Sequence, residues 1–194
     1  MSDRIKYKQH LLRAISHPSF TFVFEPLDSY WRIRATSGMS RELLEFTGDG
    51  FLLRCVLRMI YWRWPSYPAA FITQMAHLLV SNLCFCSILL RTRVVKYAIT
   101  TAGELKSAAD TFEAYVGAYF RQRGEEQLDR WICANFGSLA ENLVPICYEE
   151  YRLPRPAKMS STRKRHVDDD EARRSKRYKL SVFTDRTNTL GHST

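Results

Sequence analysis

The stretch RELLEFTGDG, residues 41–50, opens the longest helical pattern of the sequence. Glu42, Glu45 and Asp49 are separated by three and four residues, so in a helix they lie on one stripe. The stripe turns apolar at Leu52, which means that the carboxylates cannot all point freely into solvent while the rest of the stripe packs. This pattern predicts a long helix that carries acidic side chains near one end.

A second stretch, KSAADTFEAYVGA at residues 106–118, repeats this arrangement. Lys106, Asp110, Glu113 and Gly117 follow one another at helical spacing, with alanines beside them. An apolar line on another face of the same helix suits the protein core. The sequence therefore contains two helices that each carry a pair of carboxylates next to small residues.

If the two helices face one another, four negative charges share a small volume: Glu45, Asp49, Asp110 and Glu113. Carboxylates that close together favour a bound cation, and all-oxygen ligation suits Mg²⁺ or Mn²⁺. Such ions hydrolyse phosphodiesters by activating a water and stabilising the leaving oxygen. The alternative is a solvated acidic face on which Lys106 pairs with Asp110, four residues further on. The sequence has no Glu-x-x-His pattern on these helices and no glycine-rich phosphate loop.

Two glycines, Gly48 and Gly50, flank Asp49 in the middle of the first of these helices. A glycine inside a helix costs about 1 kcal/mol relative to alanine. We therefore predict that another backbone approaches closely at this turn.

The rest of the first 150 residues also follows a helical period, and no stretch alternates like a β-strand. The predicted helices cover approximately Ile5–Ser16, Arg41–Trp64, Pro68–Arg91, Gly103–Arg123 and Glu125–Leu143. Ser40 is the predicted cap of the second helix, and Pro145 is the predicted stop of the last one. Residues 22–39 are predicted to form a loop. The fold class is all-α with short connections.

The positive charge of the chain is unevenly distributed. The 194 residues carry a formal net charge of +9 at pH 7. Residues 151–194 hold 12 Lys and Arg against five Asp and Glu, which leaves a net charge of only +2 for residues 1–150. We predict a folded domain over residues 1–150 and a disordered basic tail over 151–194, because the tail has few apolar residues and no periodicity.

The basic clusters of the tail have two interpretations of equal weight. The residues concerned are Arg163, Lys164, Arg165, Arg173, Arg174, Lys176 and Arg177. They resemble a bipartite nuclear localisation signal, and they also suit a solvated tail that binds RNA phosphates without sequence preference. We expect the protein in the nucleus or the cytoplasm rather than in mitochondria.

The five cysteines include no CxxC pair, which argues against both a disulfide framework and a zinc site. No apolar stretch reaches the roughly 18 residues of a membrane span, and no secretory signal follows Met1. We expect an intracellular protein without a membrane partner, whose thiols are reduced and mostly buried.

Four blocks in order resemble the ribonuclease III family. They are AISHPSF at 14–20, RELLEFTGDG at 41–50, LVSN at 79–82 and KSAADTFEAYVGA at 106–118. The corresponding family patterns are A-L-T-H-x-S-Y, E-R-L-E-F-L-G-D-A/S, L-V-S-N and K-x-x-A-D-x-F-E-A-L-I-G-A. The resemblance extends from about residue 5 to residue 143.

The resemblance implies an all-α endonuclease domain that processes double-stranded RNA and uses Mg²⁺, for which Mn²⁺ can substitute. The implied catalytic and metal-binding residues are Glu45, Asp49, Asp110 and Glu113. Of these, Glu113 and Asp49 would hold the ion directly, while the other two complete the cluster, partly through water. Two such domains pair in the family, so a homodimer is expected.

Three further residues have supporting roles by this resemblance. Glu42 is expected at the dimer contact. Asn82 orients a metal-bound water or an acid, with helix capping or a core-polar role as the alternatives. Lys106 contacts the site or a phosphate, with the Asp110 pair as the alternative. His17 is expected to make a fixed hydrogen bond in the fold rather than to transfer protons.

The chain also departs from the family pattern. Leu43, Thr47 and Gly50 replace the usual Arg, Leu and Ala or Ser of the signature. Residues 21–40 form a longer link than is usual, and we expect this link either to cover part of the dimer surface or to bind a partner. We expect no separate double-stranded-RNA-binding domain within the 44 residues of the tail, because they are too few for one. The alternative function is that of a catalytically inactive RNA-binding or structural protein, for example a ribosome-associated one, but four intact carboxylates favour catalysis.

Overall fold

The computed structural model describes residues 3–36, 38–94 and 99–152, and every secondary-structure element in these ranges is an α-helix. The helices are α1 (Asp3–Ser16), α2 (Ser29–Arg34), α3 (Gly38–Arg63), α4 (Ala69–Leu79), α5 (Asn82–Arg91), α6 (Ala102–Arg123) and α7 (Glu125–Arg152). The all-α prediction is confirmed. The predicted tail lies outside the described residues, apart from its first two, which belong to α7.

Helices α3 and α6 pack against one another at the centre of the fold. Leu52 and Ile60 of α3 and Phe112 of α6 have no exposed surface. Phe112 also stacks on Phe85 of α5, with ring centroids 4.4 Å apart. Each such side chain stabilises the fold by about 1.5–3 kcal/mol through burial. This packing brings the two acidic stretches of the sequence together.

The helix predicted over 68–91 is in fact two helices, α4 and α5, bent by 44° where they meet. Ser81 lies at the break, in an extended conformation. Its hydroxyl accepts a hydrogen bond from the Cys84 N–H and donates one to the Leu78 carbonyl. One serine therefore forms hydrogen bonds with a backbone carbonyl at the end of α4 and with a backbone N–H at the start of α5. The helical pattern of the sequence continues through this break and did not indicate it.

Helix α7 runs through Pro145, where the sequence predicted its end. A proline inside a helix costs about 3 kcal/mol. Beyond it, Tyr148 and Tyr151 both pack against the buried ring of Phe71, with centroid distances of 5.1 Å. The apolar contacts made by the last turns offset the cost of the proline, and α7 continues to Arg152.

Residues 22–39, predicted to form a loop, contain α2 and contribute to the core. Helix α2 begins after Asp28, whose side chain accepts a hydrogen bond from the Trp31 N–H at 2.9 Å. Upstream, Phe22 is buried edge-on against Trp131 of α7, with ring centroids 5.5 Å apart. The segment is thus an ordered link whose aromatic side chains fill space between distant helices.

The predicted start of α3 was also wrong. The helix begins at Gly38, so Ser40 lies inside it and is not its cap. The Ser40 hydroxyl instead accepts a hydrogen bond from Arg34 at 3.1 Å. This contact ties the end of α2 to the first turn of α3.

The predicted bounds of α6 are confirmed to within one residue at its start. Thr101 and Glu104 form a reciprocal capping box at the N-terminus. Gly124 ends the helix with a φ of 82°, a conformation that favours glycine. Both signals are local in sequence, which explains why this boundary was predictable.

All five cysteines are free thiols, and only Cys133 is exposed, as expected. Within the described ranges, no helix is by itself long and apolar enough to cross a membrane. Only the bent pair α4–α5 meets the length and composition of a span when the two are taken together.

Candidate metal centre

Helices α3 and α6 cross at two glycines that face each other's backbone. A Cβ atom on Gly48 would overlap the carbonyl group of Glu113, and one on Gly117 would overlap the carbonyl group of Leu44. The close approach predicted at Gly48 is therefore confirmed. Gly50 has no atom within 4 Å of its Cβ position, so the prediction does not hold there.

This crossing brings carboxylates from the two helices together. Glu45 of α3 and Asp110 and Glu113 of α6 each offer a carboxylate oxygen, and these oxygens all lie within 4.8 Å of one another. The side chains of Glu45 and Asp110 are only 24% and 18% exposed. Three of the four predicted metal ligands thus form one group, which we call the acidic cluster.

Asp49, the fourth predicted ligand, lies outside the acidic cluster and is exposed. It is one turn beyond Glu45 on α3. Its negative charge nevertheless raises the pKa of Glu113, so the carboxylate is close enough to act on the cluster electrostatically.

The close approach of these carboxylates has its largest electrostatic effect on Glu113. Burial, followed by the charges of Asp49, Asp110 and Glu45, raises its pKa from the usual 4.5 to about 7. A carboxylate in such a position needs either a proton or a nearby cation at neutral pH. The donor set consists of carboxylate oxygens, which fits Mg²⁺ or Mn²⁺.

Lys106 supplies one positive charge at the edge of the cluster. Its ammonium group donates to both carboxylate oxygens of Asp110, at 2.7 and 2.8 Å, and lies 3.9 Å from Glu45 Oε1. These contacts, mainly the hydrogen bond to Asp110, raise the pKa of the lysine. The two interpretations of Lys106 are therefore compatible, since the residue pairs with Asp110 and also contacts the site.

The other predicted residues lie in different surroundings. Glu42 is exposed on α3 and is not a member of the acidic cluster. Asn82 is exposed at the first position of α5, where Ser81 is the cap, so its core-polar and capping roles are both wrong. The basic tail residues, from Arg163 to Arg177, lie outside the described residues.

His17 makes the fixed hydrogen bonds that were expected of it. Its Nδ1 accepts a hydrogen bond from the Ser19 backbone N–H at 3.2 Å and lies 2.7 Å from the Ser19 hydroxyl. These contacts hold the turn that follows α1.

One feature of α3 was missed by the sequence analysis. Met39, Leu43 and Phe46 are 79%, 63% and 81% exposed, although all three are apolar. They follow one another at spacings of four and three residues and therefore lie on one stripe, which we call the apolar stripe of α3. The sequence could have indicated this stripe, because its three residues lie on a different face of the helix from Leu44 and Leu52, which are buried.

The chain is similar to curated ribonucleases. It is 31% identical to Ribonuclease 3 of Methylococcus capsulatus over 99 residues, which is 47% of this chain and 43% of the relative. It is 28% identical to Ribonuclease 3 of Symbiobacterium thermophilum over 153 residues, 72% of this chain and 59% of the relative. The chain thus spans only about half the length of these relatives. No family model matches the chain.

The helical architecture also resembles a solved structure. Dicer from Pichia stipitis superimposes with a TM-score of 0.50 at 24% identity, covering 75% of this chain and 68% of that one. This likeness concerns the fold. The folded part of this chain is thus similar in sequence to Ribonuclease 3 proteins and in fold to a Dicer structure.

Proposed function

We propose that this protein is an endoribonuclease that hydrolyses phosphodiester bonds of double-stranded RNA, depends on Mg²⁺ and acts as a homodimer. The observation that carries the proposal is the acidic cluster, in which carboxylate oxygens from two helices lie within 4.8 Å of one another. The proposal is supported by the name of the relatives, Ribonuclease 3. Mn²⁺ has the same ligand preferences and is expected to substitute.

In this proposal Glu45, Asp110 and Glu113 hold the ion, with Asp49 beside them. When bound, the ion supplies an activated water and stabilises the leaving oxygen of the phosphodiester. The protein's own contribution is to hold three carboxylates in place before substrate arrives. The glycine crossing does this, because it fixes the separation between the backbones that carry Glu45 and Glu113.

The apolar stripe of α3 supports the homodimer. Three large apolar side chains exposed on one helix face are unusual for a monomer and typical of a surface that another protein covers. The stripe lies on the helix that also carries Glu45. Pairing of two copies through α3 would therefore place two acidic clusters on one assembly, one for each strand of the duplex.

The direct test is cleavage of a long RNA duplex by the purified full chain. We expect the duplex to be shortened in the presence of Mg²⁺ or Mn²⁺, and to stay intact when the metal is removed with a chelator. Single-stranded RNA of the same sequence is expected to resist, and mapping of product ends should show staggered cuts. Absence of metal-dependent cleavage at low salt would refute the proposed activity.

The homodimer can be tested separately by Phe46→Asp. A charge on the most exposed residue of the apolar stripe is expected to weaken dimerisation at least roughly 30-fold, because truncation of an interface hot spot costs about 2 kcal/mol or more. Sedimentation analysis should show a shift from dimer to monomer. Ile5→Asp, which places the same charge at an exposed apolar position on α1, is the control and should leave the dimer unchanged. A wild-type chain that sediments as a monomer would contradict the homodimer.

A further inference from the structure

The ammonium group of Lys106 lies against the acidic cluster. It donates to both oxygens of Asp110 and lies 3.9 Å from Glu45 Oε1. Its charge also lowers the pKa of Glu113, in opposition to the surrounding acids. Lys106 therefore interacts with all three carboxylates of the cluster, although its hydrogen bonds go to one of them.

These interactions compete with those of a metal ion. A divalent cation held by Asp110 needs a lone pair on one of its oxygens, and the ammonium already uses one of the two lone pairs on each oxygen. A positive charge that stays a few ångströms from the ion would in addition repel it. Lys106 and a metal ion therefore compete for Asp110, both for its oxygen lone pairs and through their mutual repulsion.

The ammonium group of Lys106 can also move away from the acidic cluster. Its side chain is 64% exposed, so the ammonium can turn into solvent without moving the backbone or opening the core. Ion pairs at i, i+4 on a helix surface contribute little to stability when the cation is solvated, so the loss of this pair is easy to offset.

We propose that Lys106 is a built-in counter-ion of the metal centre, which neutralises the cluster in the metal-free protein and is displaced from Asp110 when the ion binds. This inference rests on the proposed metal site and adds a regulatory consequence to it. Because displacement opposes binding, Lys106 lowers the affinity of the site for metal. The alternative role, in which the lysine stays in place and positions Asp110 for the ion, predicts the opposite sign.

The experiment is a titration of the full chain with Mn²⁺, in which electron paramagnetic resonance measures the free ion. Lys106→Met keeps the apolar part of the side chain and removes the charge. We expect it to bind Mn²⁺ roughly tenfold more tightly than the wild type, since the removed charge both repels the ion and occupies its ligand. Arg130→Met is the matched control, because it removes the cation of an exposed i, i+4 pair with Glu126 on α7 and should leave the affinity unchanged.

Thermal unfolding provides a second readout that is independent of activity. Without metal, Lys106→Met is expected to melt below the wild type, because three carboxylates lose their counter-ion. At saturating Mn²⁺ the difference should disappear or reverse.

The outcomes separate this inference from the proposed function. Equal or weaker Mn²⁺ binding by Lys106→Met, with clear binding by the wild type, would overturn the counter-ion role and leave the nuclease proposal intact. Absence of Mn²⁺ binding by both proteins would overturn the metal site itself, and the counter-ion role with it.

Discussion

Glu113→Gln is expected to reduce metal-dependent cleavage of an RNA duplex by roughly 10³-fold. Glu113 belongs to the three carboxylates whose oxygens converge, and it is the one with its pKa raised to about 7 by burial and by its acidic neighbours. Glutamine has the same shape but cannot provide the negative charge that a divalent ion requires. The measurement is the single-turnover cleavage rate at saturating RNA.

The same variant is expected to fold as well as the wild type, and this follows from the sign of the pKa shift. Glu113 has a higher pKa in the folded chain than its usual 4.5, so its stabilising contribution is complete below pH 4.5 and is lost as the pH rises through about 7. Glutamine does not titrate. In the absence of metal, the wild type should therefore lose more stability between pH 5 and pH 8 than the variant.

Glu126→Gln on α7 is the control for this prediction, since Glu126 is 86% exposed and lies outside the acidic cluster. It should cleave at the wild-type rate. Wild-type cleavage by Glu113→Gln would exclude this carboxylate from the chemistry. A variant that is inactive because it is unfolded would be recognised by its melting curve.

Gly117→Ala is expected to lower the free energy of unfolding by about 3 kcal/mol and to abolish cleavage. The added methyl group would overlap the carbonyl of Leu44, which belongs to the backbone of α3 and cannot turn away. Helix propensity favours alanine by only about 1 kcal/mol, so the overlap decides the sign. Relief of the overlap separates the two helices, and with them Glu45 from Glu113.

Gly50→Ala is the matched control, because it makes the same change on α3 where nothing lies within 4 Å of the new atom. It should stabilise the protein by up to about 1 kcal/mol. Thermal unfolding and cleavage of the two variants are compared side by side. If Gly117→Ala is as stable and as active as Gly50→Ala, the close helix approach is not what positions the carboxylates.

The contrast between these glycines also shows how far the sequence could be interpreted. Gly48 and Gly50 give the same signal, a glycine in a helix interior, and both were expected to mark a close approach. Only Gly48 does so, because it points at α6 while Gly50 points elsewhere. The direction of each residue depends on which face of α3 meets its partner, and that was not known before the helices were assembled.

Helix boundaries also differ in whether the sequence alone predicts them. The ends of α6 were predictable, since the capping residues Thr101 and Glu104 and the terminal Gly124 act within a few residues. The end of α7 was not, because contacts with a distant ring, that of Phe71, outweigh the local effect of Pro145. Local rules hold where no long-range contact opposes them.

The sequence by itself determined the all-α class and the two acidic helices, because helical periodicity and the order of short motifs are local properties of the chain. The tertiary structure decided which carboxylates meet. Glu45, Asp110 and Glu113 converge while Asp49 stays at the edge, and Lys106 joins them, since the angle and depth of the α3–α6 crossing select those side chains. It also left Met39, Leu43 and Phe46 uncovered, because an apolar side chain is exposed or buried according to the partner that its helix face meets.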